Sequence, residues 1–250
     1  MTFLGGIRLR ESITKISKDY YMLGMSACIL QFPGGRSLMG TTVREVAFST
    51  GEGSLRGELR VPARAETVVV ILSGECGAGQ TPQESALERE FTDRGIGTFV
   101  VDLLTAREAS ERESRLDIEL LGRRIDSLHN WLGRQAMLDT LDIAVCAADT
   151  AAPAAIQYVD SASSKPVAVA LWNGRLDLLD GELSGLEIPV LFACTEQNSF
   201  LTQLNQTAYD SRAVDSKRAE FLAVAGRIDG GQIATWFERQ LTADRSPQHV

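Results

Sequence analysis

From Val46 onward, short unbroken apolar runs alternate with segments whose apolar residues recur every three or four positions. The run Val68-Val-Val-Ile-Leu72 is almost wholly β-branched, as suits a strand covered on both faces. Gly97–Asp102, Leu141–Cys146, Val167–Leu171, Pro189–Cys194 and Glu220–Ala225 read as further strands. Between them, Pro82–Asp93, Ser114–Arg134, Thr150–Tyr158, Phe200–Tyr209 and Gly231–Leu241 read as helices. Within Ser114–Arg134, Ile118, Leu121, Ile125, Leu128 and Leu132 make one apolar stripe to face a sheet. Ahead of all these, Ala47–Ser49 and Leu55–Val61, separated by Gly51 and Gly53 and stopped by Pro62, read as a hairpin. Strands and helices in alternation imply a mostly parallel central sheet between two helical layers, a three-layer α/β sandwich. The reactive groups of such a sheet belong in the loops after the carboxyl ends of its strands.

With 250 residues, 44% of them hydrophobic, the chain supports one sizeable core. No repeat or linker divides residues 46–243, which read as one domain. Residues 1–45 lack a clear period and read as an N-terminal extension packed on that core, and 244–250 as a polar tail. The apolar stretch Tyr20–Phe32 is too short to cross a bilayer as a helix, so no membrane association is expected. It suits covering an exposed edge, which makes residues 1–45 the expected contact for a protein partner or a second copy. A net charge of -8 and a pI near 4.9 repel a phosphate backbone, which argues against nucleic acid. Cys28, Cys76, Cys146 and Cys194 are widely spaced with no secretory pattern before them. Buried, reduced thiols and a cytoplasmic setting are the expectation.

The loop Ser73-Gly-Glu-Cys-Gly-Ala-Gly79 is flexible enough to turn its amides into a pocket. It has neither the Lys-Ser/Thr ending of a phosphate loop nor the glycine spacing of a dinucleotide site, and no cofactor is expected. Asp149, in Ala147-Ala-Asp-Thr-Ala151, falls at a strand-to-helix junction. Two readings stand for it: a strained turn that lifts residue 149 above the sheet, or a helix N-cap whose carboxylate accepts the first free amides.

Residues 46–243 resemble the dienelactone-hydrolase-like branch of the α/β-hydrolases, including domains sometimes fused to phosphoribosyltransferases. The resemblance is carried by Gly53-Ser-Leu-Arg-Gly-Glu-Leu-Arg-Val-Pro62, Asp102-Leu-Leu-Thr105, Gly174-Arg-Leu-Asp-Leu178, the Leu204-Asn205 pair and Trp236-Phe237. It implies an α/β-hydrolase sandwich and a serine, acid and histidine at the strand ends. Matched residue by residue, Asp149 stands in place of the serine, Asn198 (with Glu196 nearby) in place of the acid, and Asp229 near the histidine position. Ser73-Gly-Glu-Cys76 replaces the family's His-Gly-Ser-Gly loop and puts Glu75 and Cys76 at its oxyanion-binding region.

Chemistry agrees with this loss, because a serine-type mechanism needs a base that titrates near neutrality. The two histidines are His129, beside the apolar stripe of a helix, and His249, the next-to-last residue. The expected role is therefore non-catalytic: binding a small molecule, cationic or polyhydroxyl, at Ser73, Gly74, Glu75, Cys76, Asp149, Thr150 and Glu196, or binding a protein. The alternatives are a divergent hydrolase of esters, thioesters or lactones that uses Asp149 as its nucleophile, and a structural subunit of an assembly. A hard cation held by the oxygens of Glu75, Asp149, Glu196 and Asp229 is a variant of the enzyme reading, with no metal expected.

Overall fold

The computed structural model describes residues 36–38, 40–73, 81–161, 165–179, 186–211, 218–225 and 229–243. Nine strands form one sheet: β1 (Arg36–Leu38), β2 (Thr41–Ser49), β3 (Ser54–Pro62), β4 (Thr67–Ser73), β5 (Gly97–Asp102), β6 (Asp142–Ala148), β7 (Val169–Trp172), β8 (Val190–Thr195) and β9 (Ala219–Val224). Their spatial order is β1-β2-β3-β5-β4-β6-β7-β8-β9. The first three strands pair antiparallel and β3 joins β5 antiparallel, whereas β5 through β9 run parallel. β1 and the first part of β2 lie inside the stretch 1–45, so residues 36–38 and 41–45 are sheet. The Tyr20–Phe32 stretch lies outside the described residues.

Seven α-helices are described: α1 (Pro82–Asp93), α2 (Ala106–Ser110), α3 (Arg112–Leu116), α4 (Ile118–Leu132), α5 (Ala151–Ser161), α6 (Ser199–Asp210) and α7 (Gly230–Ala243), with one 3-10 turn at Leu176–Leu178. The single helix expected over Ser114–Arg134 is broken at Asp117. The Asp117 carboxylate accepts the Leu120 amide at 2.9 Å and starts α4 there, a local bond that outcompetes continuation of the helix.

All of β4 is buried because both of its faces are covered. On one face Val68, Val70 and Leu72 meet Leu121, Ile125 and Leu128 of α4 and Ala155 and Val159 of α5. On the other, Val69 and Ile71 join Leu87 and Phe91 of α1 and Ile233 and Phe237 of α7. The alternation of side chains along a strand makes this division automatic. The result is a three-layer α/β sandwich with a mostly parallel sheet, whose carboxyl edge holds the ends of β4, β6, β7 and β8 side by side.

One ion pair at the edge of this core carries no sequence signature. Arg124 of α4 is 1% exposed and forks onto Glu108 of α2 at 2.6 and 2.8 Å, while also donating to the Leu103 carbonyl at 2.7 Å. The Arg124 bonds, helped by those from Thr105, hold the Glu108 carboxyl down at about 2. Since the Leu103 amide donates to the Ser73 carbonyl at 3.0 Å, the clamp also fixes where β4 and β5 end.

Candidate functional site

At the end of β6 the chain turns into α5 through Asp149 and Thr150. Asp149 has φ +48°, a left-handed conformation that L residues other than asparagine and aspartate seldom adopt. Two bonds to the neighbouring strand end hold it there: its amide donates to the Trp172 carbonyl at 3.1 Å, and its carbonyl accepts the Arg175 amide at 3.0 Å. The same carbonyl accepts the Ala152 amide at 3.2 Å. An N-cap has extended dihedrals and directly precedes its helix. Asp149 has neither property, and the strained turn is the geometry found; Thr150 occupies the cap position.

The turn is possible because everything around it is small. Ala147, Ala151 and Ala152 are fully buried, and a Cβ built on Gly174 would lie 2.9 Å from the Ala152 Cβ. Fully buried Asn205 of α6 secures that close approach by donating Nδ2 to the Gly174 carbonyl at 2.8 Å. The loop after β7 adds residues that the sequence did not single out as site residues. Asn173 is itself left-handed at φ +47°, and Arg175 forks onto Asp177 with two 2.8 Å bonds that hold the Asp177 carboxyl below its ordinary range. The Asn173-Gly174 dipeptide directly after an apolar strand was the available signal, as such pairs favour positive φ.

A mostly parallel sheet between two helical layers, in this strand order, has known counterparts. A dienelactone hydrolase from Anabaena variabilis superposes with a TM-score of 0.71 at 21% identity, covering 82% of this chain and 98% of that one. The chain has the α/β-hydrolase fold. An acetyl xylan esterase from Paenibacillus shares this α/β-hydrolase architecture with a TM-score of 0.61 at 11% identity, covering 97% of this chain and 96% of that one. So does a dienelactone-hydrolase-like promiscuous phosphotriesterase from metagenomic libraries, with a TM-score of 0.59 at 13% identity and coverages of 82% and 98%. In sequence, a Mycobacterium tuberculosis protein that carries the name phosphoribosyl transferase is 28% identical over 182 residues. That match takes in 73% of this chain but only 40% of the relative's length. No family model matches the chain.

Asn198 and Asp229, which the sequence resemblance puts at the acid and histidine positions, bond to the first amides of their own helices. Asn198 is exposed and caps α6, its Oδ1 accepting the Leu201 amide at 3.2 Å. Asp229 is exposed and accepts the Gly231 amide at 3.1 Å, lining an open groove of about 530 Å³ with Glu90, Glu220 and Trp236. Glu196 is exposed, and its amide extends the β8–β9 ladder by donating to the Val224 carbonyl at 2.9 Å. Ser73 is buried at the end of β4, while Gly74, Glu75 and Cys76 lie outside the described residues. The carboxyl edge thus collects Ser73, Asp149, Thr150, Glu196 and Asn198, whereas Asp229 turns to the groove over α7.

His129 is engaged elsewhere. Its Nδ1 lies 2.6 Å from the Tyr158 hydroxyl, about two turns along α5 from the elbow. Burial pushes the Tyr158 phenol up to about 12. His249 lies outside the described residues. Cys146 and Cys194 are buried free thiols, and burial pushes each up to about 12, far from a reactive thiolate. Among the described residues, no three His, Cys, Asp or Glu side chains gather as a metal site. No described helix is long and apolar enough to cross a membrane.

Proposed function

We propose that this chain is a hydrolase-like protein that binds a small molecule at the Asp149 elbow without hydrolysing it. The observation that carries this reading is the carboxylate at φ +48° on the elbow, with Asn198 and Asp229 committed to helix caps. Among the described residues no imidazole neighbours that carboxylate to activate a hydroxyl or a water, His129 being bonded to Tyr158. Ser73, Gly74, Glu75, Cys76, Thr150 and Glu196 are the remaining proposed contacts, and their charge favours a cationic or polyhydroxyl ligand over an anion. A cytoplasmic setting belongs to the same reading, which the buried free Cys146 and Cys194 support. Purified protein is expected to give no turnover across a panel of nitrophenyl esters, thioesters and lactones, and to gain thermal stability with members of an amine and polyol set. Turnover that disappears in Asp149→Ala would defeat the proposal.

A second reading rests on the strain itself. Left-handed backbone at a residue other than glycine gathers at functional positions, and Asp149 would serve as a covalent nucleophile toward an ester, the class named for several structural neighbours. Intact-mass spectrometry after exposure to activated esters decides it: an adduct mapped to Asp149 supports this alternative, and an unmodified mass removes it.

A further inference from the structure

Three adjacent turns on the carboxyl edge are bonded into one row. The elbow joins β7 through Asp149 N–H to Trp172 O and Arg175 N–H to Asp149 O, at 3.1 and 3.0 Å. Asn173 then joins β7 to β8 twice: its amide donates to the Ala193 carbonyl at 2.8 Å, and its side-chain oxygen accepts the Thr195 amide at 3.0 Å. Thr195 passes the connection to α6, where the Thr202 hydroxyl donates to its carbonyl at 3.0 Å. The first turn of α6 also carries Phe200, a large apolar side chain that is 59% exposed.

Both bridging residues, Asp149 and Asn173, are left-handed, at φ +48° and +47°. Where the β7–β8 ladder ends, the Asn173 side-chain oxygen serves as the acceptor for the Thr195 amide. Glycine would relieve the backbone at this position but could not accept that bond. Asparagine does both, since it tolerates positive φ and carries a carbonyl oxygen.

We propose that Asn173 is a positioning residue that couples the Asp149 elbow to the β8–α6 turn, so that a change at the elbow is felt at the face bearing Phe200. Its functional consequence rests on the elbow being a ligand site, but the coupling itself is a property of the free protein. Strain released at Asp149 moves Arg175, and Asn173 carries the displacement to Thr195.

Residue-resolved amide exchange on the full chain tests it without any ligand. In Asn173→Gly the Thr195 amide loses its acceptor, and its exchange should rise about fivefold, as for one ordinary hydrogen bond. Coupling requires the Asp149 and Arg175 amides to accelerate with it, while Val70 in the centre of β4 stays unchanged. Asn173→Asp retains the acceptor and the tolerance of positive φ, and should restore all three rates. Acceleration confined to Thr195 overturns the coupling, as does a rise that includes Val70 equally or a failure of Asn173→Asp to rescue. None of these outcomes depends on whether the elbow binds anything, so this test and the ligand screen fail separately.

Discussion

Thr150 and Pro153 occupy the N-cap and third positions of α5, and the proline removes the amide that the threonine hydroxyl would ordinarily accept. The Ala152 amide is taken by the Asp149 carbonyl, and among the described residues the buried Thr150 hydroxyl has no partner. A capping threonine usually contributes about 1 kcal/mol through that bond. Here the contribution is missing and only the desolvation cost remains. Thr150→Val should therefore leave the urea midpoint unchanged or raise it. A loss near 1 kcal/mol would mean that the hydroxyl has a bonding partner in solution.

The left-handed elbow predicts an order of stabilities. Alanine at residue 149 keeps the strain of positive φ, whereas glycine relieves it, so Asp149→Gly should be more stable than Asp149→Ala by about 1 kcal/mol. Chemical denaturation measures the difference. The reverse order, normal for a site with ordinary dihedrals, would show that the turn is absent.

Gly174 is held against Ala152 too closely for any side chain. Gly174→Ala should cost about 1–3 kcal/mol by overpacking. Adding Ala152→Gly should recover part of the loss, since it removes the methyl that collides. A double-mutant cycle that sums to simple additivity would place the two residues out of contact.

Arg124 and Glu108 give the fold an acid-sensitive clamp. Glu108 has a folded pKa of about 2, below its unfolded value, so its contribution is complete above the ordinary carboxylate range and disappears as pH falls through that range toward 2. Glu108→Gln should lower stability by about 3 kcal/mol near neutral pH, because the buried guanidinium loses its counter-charge. It should also flatten the decline of stability between about pH 5 and pH 2. An unchanged acid limb in the variant would assign that decline to other carboxylates.

The alternation of β-branched runs and three-to-four spaced stripes was enough to place β2 to β9 and α1, α4, α5, α6 and α7 in chain order, though not α2 or the break at Asp117, because burial on both faces imposes Val68-Val-Val-Ile-Leu72 and burial on one face imposes Leu121, Ile125 and Leu128. The place of Asp149 between β6 and α5 was legible for the same reason. Its backbone state was not: a carboxylate before a helix reads first as a cap, and a left-handed turn is its less common use. The choice between them depends on Trp172 and Arg175, more than twenty residues away in sequence. The bonds of Arg124, Asn173 and Asn205 were hidden too, since the partners of such a polar side chain are brought within reach by folding alone. Local pattern thus determined which residues face inward; the tertiary structure decided how the strand-end turns are bonded to one another, because hydrogen bonds between loops have no periodicity for a sequence to display.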